Sequence, residues 1–274
     1  MRTPLKAVVF ASAGLITCAV GLTGIHGEGS RPVHAATAAQ GRAAKLWAGR
    51  NQEFEEYIRS AEIDHFEVIP VGVTHPRRAF LTPGGLVESV AWKVIPPGRP
   101  GGYWESYKSE IAAYELDKLL GLDMVPVTVE KRWKGETAAA ILWLSPIRQW
   151  KEVEPLPKPA QWDRQVIRMK MFDNLIGNGD RNQGNLLVDD EWQLFLIDHS
   201  RAFVAIKDLP VRMEHIDRRL WSRMQRLNEP AASAALGAWL DRSSIRVMLA
   251  RRDRMAKAIA GLVGAHGEAA VFVD

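Results

Sequence analysis

Residues 173–203 read DNLIGNGDRNQGNLLVDDEWQLFLIDHSRAF, and this segment is the most informative part of the chain. It opens with a polar, glycine-containing loop that follows an apolar helical pattern at residues 162–176. Asp180 lies in this loop, Asn185 follows five positions later, and Asp198 ends an apolar run of the β type. A hairpin between Asn185 and Asp198 would return both side chains to one end of its strands. Two hard oxygen ligands there predict a site for Mg²⁺, and a nearby carboxylate can accept the proton of a hydroxyl group.

The sequence around this segment predicts an α+β fold. On its N-terminal side, helices are predicted at residues 42–61 and 104–120, and strands at residues 66–71, 78–81, 87–95, 125–131 and 137–144. A proline-rich connector at residues 153–159 follows this small, strand-rich part. In the second half, the predicted elements are a helix at residues 162–176, strands at residues 186–188 and 194–197, and helices from residue 203 to about residue 265.

The composition is that of a globular protein with a substantial core. Of the 274 residues, 47% are hydrophobic and 25% are charged, which excludes a disordered or collagen-like chain. The one cysteine, Cys18, lies in the N-terminal apolar segment, so the folded part has neither an internal disulfide nor a cysteine metal site. The net charge of +4 is too small to predict nucleic acid as a partner.

The C-terminal region is more basic than the rest. Residues 201–257 contain 13 Lys or Arg and 6 Asp or Glu. Such a region could bind an acidic substrate, anionic lipid headgroups or a polyphosphate. We favour the interpretation that these are amphipathic helices with arginine on their solvated faces, while membrane association through them is left open.

The N-terminus has the pattern of a targeting segment. Arg2 and Lys6 precede an uncharged run at residues 7–25, and Ala36-Thr37-Ala38 fits a cleavage site. We interpret residues 1–38 as a cleaved signal peptide or an uncleaved membrane anchor, and a lipid-modified Cys18 is a weaker alternative. Each alternative predicts export, to a periplasm, to the exterior or to the lumen of the secretory pathway.

The segment from Asn178 to Asn185, with Ile197-Asp198 after it, resembles the catalytic and metal-binding motifs of the atypical kinases. That group includes phosphatidylinositol 3- and 4-kinases, HipA-type toxin kinases and secretory-pathway kinases of the Golgi casein kinase type. FDNLIGNGDR at residues 172–181 and EIAAYEL at residues 110–116 most resemble the last type. The chain departs from the family at Asn182, where His is usual, and in having Asp198-His199-Ser200 in place of Asp-Phe-Gly.

This resemblance implies a two-lobed, protein-kinase-like α+β fold. Residues 39–64 would form an N-terminal helical segment, residues 65–148 a small β-rich N-lobe, and residues 149–274 a mostly helical C-lobe. Asp180 and Asn185 would be catalytic, with Asp180 accepting the proton of the substrate hydroxyl group. Asn185 and Asp198 would bind Mg²⁺ or Mn²⁺.

The resemblance also implies how ATP is held. Lys93 would contact the α- and β-phosphates, and Glu110 on the next helix would pair with Lys93. Glu105 and Glu115 are other candidates for that pairing. The loop between Val71 and Val87 would cover the phosphates, and residues 141–144 would form the hinge beside the adenine.

The resulting hypothesis is an ATP-dependent phosphotransferase that acts on a Ser or Thr hydroxyl group of a protein. Three alternatives remain open on the same fold. The chain could be a pseudokinase that binds nucleotide without catalysis, a lipid kinase acting on a phosphatidylinositol headgroup, or an adenylyltransferase. The oligomeric state is not predicted.

Overall fold

The computed structural model describes residues 45–69, 76–96 and 105–274. Five strands of its N-terminal half are β1 (Ile63–Val68), β2 (Arg77–Leu81), β3 (Ser89–Lys93), β4 (Thr128–Trp133) and β5 (Glu136–Leu142). They form one antiparallel sheet in the order β1-β2-β3-β5-β4. The sequence predicted each strand, with boundaries displaced by up to three residues. The predicted targeting segment and part of the predicted phosphate-covering loop lie outside the described residues.

Two helices pack on this sheet: α1 (Asn51–Ser60) contacts β4, and α2 (Tyr107–Leu120) contacts both β4 and β5. The Ser106 hydroxyl caps the start of α2 by accepting the Lys108 N–H. The helix ends at Gly121, whose φ of +56° is favourable only for glycine and a few polar residues. Glu110 lies in the first turn of α2, and its carboxylate reaches Lys93 at the end of β3.

The second half begins with β6 (Arg148–Gln149), α3 (Trp150–Val153) and α4 (Trp162–Ile176). A 3₁₀ turn (Gln183–Asn185) then leads into β7 (Leu186–Val188) and β8 (Leu194–Leu196). The three short strands pair in the order β6-β7-β8. The bounds of α4 and β7 are those predicted from the sequence.

The C-terminal elements are β9 (Ile216–Asp217), α5 (Arg218–Gln225), α6 (Glu229–Leu236), α7 (Arg242–His266), α8 (Glu268–Val271) and β10 (Phe272–Val273). The strands β9 and β10 pair in parallel. The predicted helical region from residue 203 is wrong for residues 204–215, which are irregular.

Buried Arg251 bonds two backbone carbonyl groups at the start of this irregular segment. Its guanidinium donates to the carbonyl oxygens of Val204 (2.8 Å), Ile206 (2.7 Å) and Leu175 (3.0 Å). Burial lowers the pKa of Arg251 to about 10. Arg251 therefore does not belong to the solvated basic face expected for the C-terminal helices.

Among the described residues, the larger of two apolar clusters runs from the sheet through the helices of the second half. A smaller cluster of Ile95, Tyr107, Ile111, Ala139 and Ile141 also packs against Trp239, which follows α6. Helix α2 accordingly contacts α5 and α6 as well as the sheet. The helix that carries Glu110 is held from both halves of the chain.

A buried carboxyl at the end of α2 predicts a pH dependence of stability. Oδ1 of Asp117 accepts the backbone N–H groups of Met124 (3.0 Å) and Val125 (3.1 Å). Burial raises the pKa of Asp117 to about 7, against the lowering effect of those N–H groups. Between the ordinary value of 3.8 and this value, the folded state binds more protons than the unfolded state. This group's contribution to the free energy of unfolding therefore falls as the pH rises through that range.

We expect Asp117→Asn to remove this part of the pH dependence, because the amide keeps an acceptor oxygen and carries no charge. Urea unfolding of both proteins between pH 5 and pH 8 measures it. Over this pH range, the free energy of unfolding of the variant, relative to the parent, should increase by up to about 3 kcal/mol. A difference independent of pH would contradict the prediction.

Candidate active site

The strand β3 and the helix α2 bring Lys93 and Glu110 together. Lys93 is the last residue of β3, and its Nζ lies 2.6 Å from Glu110 Oε1 and 2.8 Å from Asp198 Oδ1. Burial lowers the pKa of Lys93, but the charges of Glu110 and Asp198 outweigh it, so the net pKa is raised. Lys93 is therefore a fixed cation at the end of the sheet, between two carboxylates from distant parts of the sequence.

The other acids considered as partners of Lys93 lie elsewhere. Glu105 pairs with Arg201, and Glu115 pairs with Lys118. Among the three candidates, the structure places Glu110 against Lys93.

Glu110 also orients the segment that carries Asp198. Its second oxygen, Oε2, accepts the backbone N–H of His199 at 2.9 Å. Burial raises the pKa of Glu110, but Lys93 and His199 lower it by more. The pKa of this carboxyl therefore lies well below its usual range. The Ser106 N–H donates to the Ser200 carbonyl oxygen at 2.9 Å, which joins the start of α2 to the same segment.

Arg181 holds the loop between α4 and β7. Its guanidinium makes two hydrogen bonds to the buried carboxylate of Asp173, at 2.9 and 3.0 Å. It also donates to the carbonyl oxygens of Ile197 (2.6 Å) and Asn185 (3.3 Å). One buried side chain thus ties the end of α4, the loop and the end of β8 into a single unit.

His199 completes this network as an acceptor. Its Nε2 lies 2.9 Å from Arg181 Nη2, and because arginine only donates, the ring nitrogen must accept. Burial lowers the pKa of His199, which favours the neutral imidazole that such a contact needs. The side chain orients Arg181.

Asp180, Asn185 and Asp198 lie on this framework. The Asp180 side chain is 46% exposed, and its Oδ2 lies 3.3 Å from Arg201 Nη1. The Asn185 side chain donates to the Asp180 carbonyl oxygen (3.4 Å), and the Ile197 N–H donates to the Asn185 carbonyl oxygen (3.1 Å). The hairpin thus brings Asn185 beside the residue that precedes Asp198.

Asn182 has a local structural role. Its side-chain oxygen accepts the Gly184 N–H at 2.9 Å, and its amide donates to the Asp180 carbonyl oxygen at 3.2 Å. These bonds cap the 3₁₀ turn that ends at Asn185. They are contacts that an uncharged side-chain amide makes well.

The donors available for a cation are the Asp198 carboxylate and the Asn185 amide oxygen. Among the residues that the structure describes, no group of three or more His, Cys, Asp or Glu forms a metal cage. Mg²⁺ usually binds one or two protein oxygens and completes its shell with phosphates and water. The donor set fits a cation that is bound together with nucleotide phosphates.

Sequence reasoning missed part of this arrangement. Asp173 had only the appearance of a polar residue at a helix end, yet it is the buried partner of Arg181. Arg201 bridges Glu105 and Asp180. The sequence offered one indication of the Asp173–Arg181 pair, namely that these opposite charges lie on either side of a glycine-containing loop.

Comparison with known proteins shows what this chain is similar to. A family model described as phosphatidylinositol 3- and 4-kinase matches residues 133–259, just under half of the chain. The match includes Asp180, Asn185 and Asp198, and lies C-terminal to Lys93 and Glu110. A crystal structure of the Golgi casein kinase with Mn/ADP bound is 14% identical, with a TM-score of 0.62, over 81% of this chain and 78% of that one.

The chain is therefore similar to the atypical kinases, in part of its sequence and in its fold. Another crystal structure of the Golgi casein kinase is 14% identical, with a TM-score of 0.63, over 81% of this chain and 77% of that one. The structure of hydra Fam20 with sugar is 17% identical, with a TM-score of 0.61, over 81% of this chain and 91% of that one. At these identities the likeness shows the fold. The search of curated protein sequences gives no match.

These comparisons confirm two predictions, the kinase-like α+β fold and the general enzyme class of phosphotransferase. The acceptor, the metal and the roles of individual residues of this chain stay predictions. Within the described ranges, no helix has both the length and the apolar character that a membrane span requires.

Proposed function

We propose that this chain is an atypical kinase that transfers the γ-phosphate of ATP to a Ser or Thr hydroxyl group of a protein. The observation that carries the proposal is the ion-paired set of Lys93, Glu110 and Asp198. Three segments far apart in sequence meet there with distances of 2.6 and 2.8 Å. Burying a lysine beside two carboxylates is costly for a purely structural purpose, whereas phosphate binding at its ammonium group explains it.

On the nucleotide side, Lys93 would hold the α- and β-phosphates while Glu110 fixes its position. Asp198 and Asn185 would hold Mg²⁺ or Mn²⁺, which neutralises phosphate charge when bound. Glu110 stays ionised because of Lys93 and the His199 N–H, so this support remains in place across the physiological pH range.

On the acceptor side, Asp180 would receive the proton of the attacking hydroxyl group. Its carboxylate is half-exposed, and the backbone carbonyl of the same residue accepts the amides of Asn182 and Asn185. This arrangement fixes the main chain and leaves the carboxylate accessible to a substrate. Catalysis would come mainly from positioning and charge neutralisation.

Two of the comparisons bear on which kind of molecule accepts the phosphate group. The matched solved structures include kinases named for casein, a protein, and this favours a protein hydroxyl group. The family model is named for phosphatidylinositol kinases, which makes a lipid headgroup the second candidate.

The mass of the modified product separates transfer of a phosphoryl group, about 80 Da, from transfer of an adenylyl group, about 329 Da.

We also propose export, with residues 1–38 as a signal peptide or anchor. The proposal rests on the charge and apolar pattern of those residues, which lie outside the described residues. The match to a Golgi kinase supports it.

Asp198→Asn is the direct test of the nucleotide site. Asp198 has a φ of +62°, a conformation that asparagine also adopts readily, so the backbone is expected to stay intact. The parent protein should melt at a higher temperature with Mn²⁺ and ATP together than without them. We expect the variant to lose this increase, because the amide is a far weaker cation ligand than the carboxylate.

Asp123→Asn is the matched control, because Asp123 also has a positive φ, of +55°, and lies in the turn after α2. It should keep the full thermal shift. A shift of the parent's size in Asp198→Asn, or none in the parent, would overturn the nucleotide-site assignment.

A further inference from the structure

A second polar site lies beside the N-terminal half of α4. One face of that helix presents Gln161, Arg164, Gln165 and Arg168 to a cavity of about 160 Å³. Lys45, from the segment before α1, also lines the cavity. The rest of the lining is Gln193 from the β7–β8 turn and apolar residues from the segment after α2. The cavity therefore joins parts of the chain from both halves of the fold.

The lining is cationic. Lys45, Arg164 and Arg168 contribute three positive charges, and the lining residues include no carboxylate. Arg164 Nε and Arg168 Nε both donate to a single oxygen of Asp217, at 2.6 and 2.8 Å. One buried carboxylate thus serves two guanidinium groups, which leaves positive charge uncompensated at the cavity wall.

One of the two arginines in the lining has a donor without a partner. Among the described residues, Arg164 Nη2 is buried and makes no hydrogen bond. Arg164 therefore has hydrogen-bonding capacity that its contact with Asp217 does not use. The amides of Gln161 and Gln193 supply neutral donors at the same cavity.

The surroundings of Lys45 agree with this interpretation. Burial lowers the pKa of Lys45, and Arg168 lowers it further, while Asp123, Asp117 and Asp189 raise it by a smaller total. Burial raises the pKa of Asp117 to about 7 and also raises that of Asp189, so these two acids offset the cations less than ordinary aspartates would.

We propose that this cavity binds a small tetrahedral oxyanion, either free inorganic phosphate or the phosphate group of a small phosphomonoester. The volume is that of about five water molecules, which suits a phosphate group with part of its hydration shell. Guanidinium groups bind phosphate oxygens in pairs, and the N-terminus of a 15-residue helix adds favourable partial charge. This site is separate from the nucleotide site and does not depend on the proposed activity.

The test is a calorimetric titration of the full chain with inorganic phosphate, at constant ionic strength and without metal or nucleotide. We expect saturable binding at one site, and a loss of at least tenfold in affinity for Lys45→Met. Lys151→Met removes an exposed lysine outside the cavity and should leave the affinity unchanged. Competition by glycerol 3-phosphate would identify a phosphomonoester as the ligand class, and its failure would identify the free anion.

A second variant tests the charge of the site without removing a cation. Gln161 lies at the start of α4, where a carboxylate is favourable for the helix, so Gln161→Glu should fold normally. We expect it to abolish phosphate binding, whereas Gln161→Met should retain most of it. Equal affinities in the parent, Lys45→Met and Gln161→Glu would overturn the proposal.

The nucleotide site provides the remaining control. Lys93→Met and Asp198→Asn should keep phosphate binding, because neither residue lines the cavity. Loss of binding in these two variants would assign the phosphate to the nucleotide site and overturn the cavity proposal, while leaving the proposed kinase function in place.

Discussion

Asp180→Asn is expected to lower the rate of phosphate transfer by about 10²–10⁴-fold, because asparagine has the shape of aspartate but cannot accept a proton. The stability of the protein should change little. The Asp180 carboxylate is 46% exposed and contacts Arg201 at 3.3 Å, while the bonds that fix the loop use the backbone carbonyl of Asp180. An exposed ion pair of this kind contributes about 0–1 kcal/mol.

The measurement is the turnover rate with ATP and a protein acceptor, together with urea unfolding of the same samples. Asp190→Asn is the control, because Asp190 is an exposed aspartate in the β7–β8 turn of the same lobe. Retention of the parental rate in Asp180→Asn would exclude Asp180 as the base. Nucleotide binding should persist in the variant, which separates this outcome from loss of the whole site.

Arg181→Met is expected to reduce the free energy of unfolding by about 3–5 kcal/mol. The change leaves the Asp173 carboxylate buried without its cation, and removes the donor to the Ile197 carbonyl oxygen. An isolated buried charge accounts for most of the expected loss, because desolvation is no longer offset by pairing. Phosphate transfer should fall as well, since the loop that carries Asp180 loses its attachment to α4.

Urea unfolding of the parent, Arg181→Met and the surface variant Arg254→Met measures this effect. Arg254 is 52% exposed and pairs with exposed Asp208, so its replacement should cost at most about 1 kcal/mol. The double variant Arg181→Met with Asp173→Asn should recover part of the loss, because it also removes the uncompensated charge. A single variant as stable as Arg254→Met would contradict the prediction.

Local patterns predicted the fold where the signal is periodic and long. Helix α4 has the bounds predicted at residues 162–176, because its apolar spacing is regular and Gly177 ends it in a left-handed conformation. Residues 204–215 show the limit of such patterns. Their backbone is held in part by Arg251, some 45 residues away, and no local signal predicts that contact.

Some residues of the candidate site could likewise be predicted from the sequence, and others could not. Asp180, Asn185 and Asp198 could be named from spacing within one segment, and Lys93 with Glu110 from resemblance to a family. The buried pair of Asp173 and Arg181 was not predicted, because it depends on the chain folding back after α4. Asp173 and Arg181 are eight positions apart, and an extended loop would separate them.

The packing of α2 bears on how the molecule unfolds. The helix contacts β4 and β5 on the sheet and α5 and α6 in the second half, with Trp239 packed against the cluster that contains Ile111. Neither half can lose its structure without exposing an apolar face of this shared helix, at a cost of about 25 cal/mol for each Å² of apolar surface. We therefore expect the two halves of the chain to unfold together, and the Lys93–Glu110 pair to be lost only when they do.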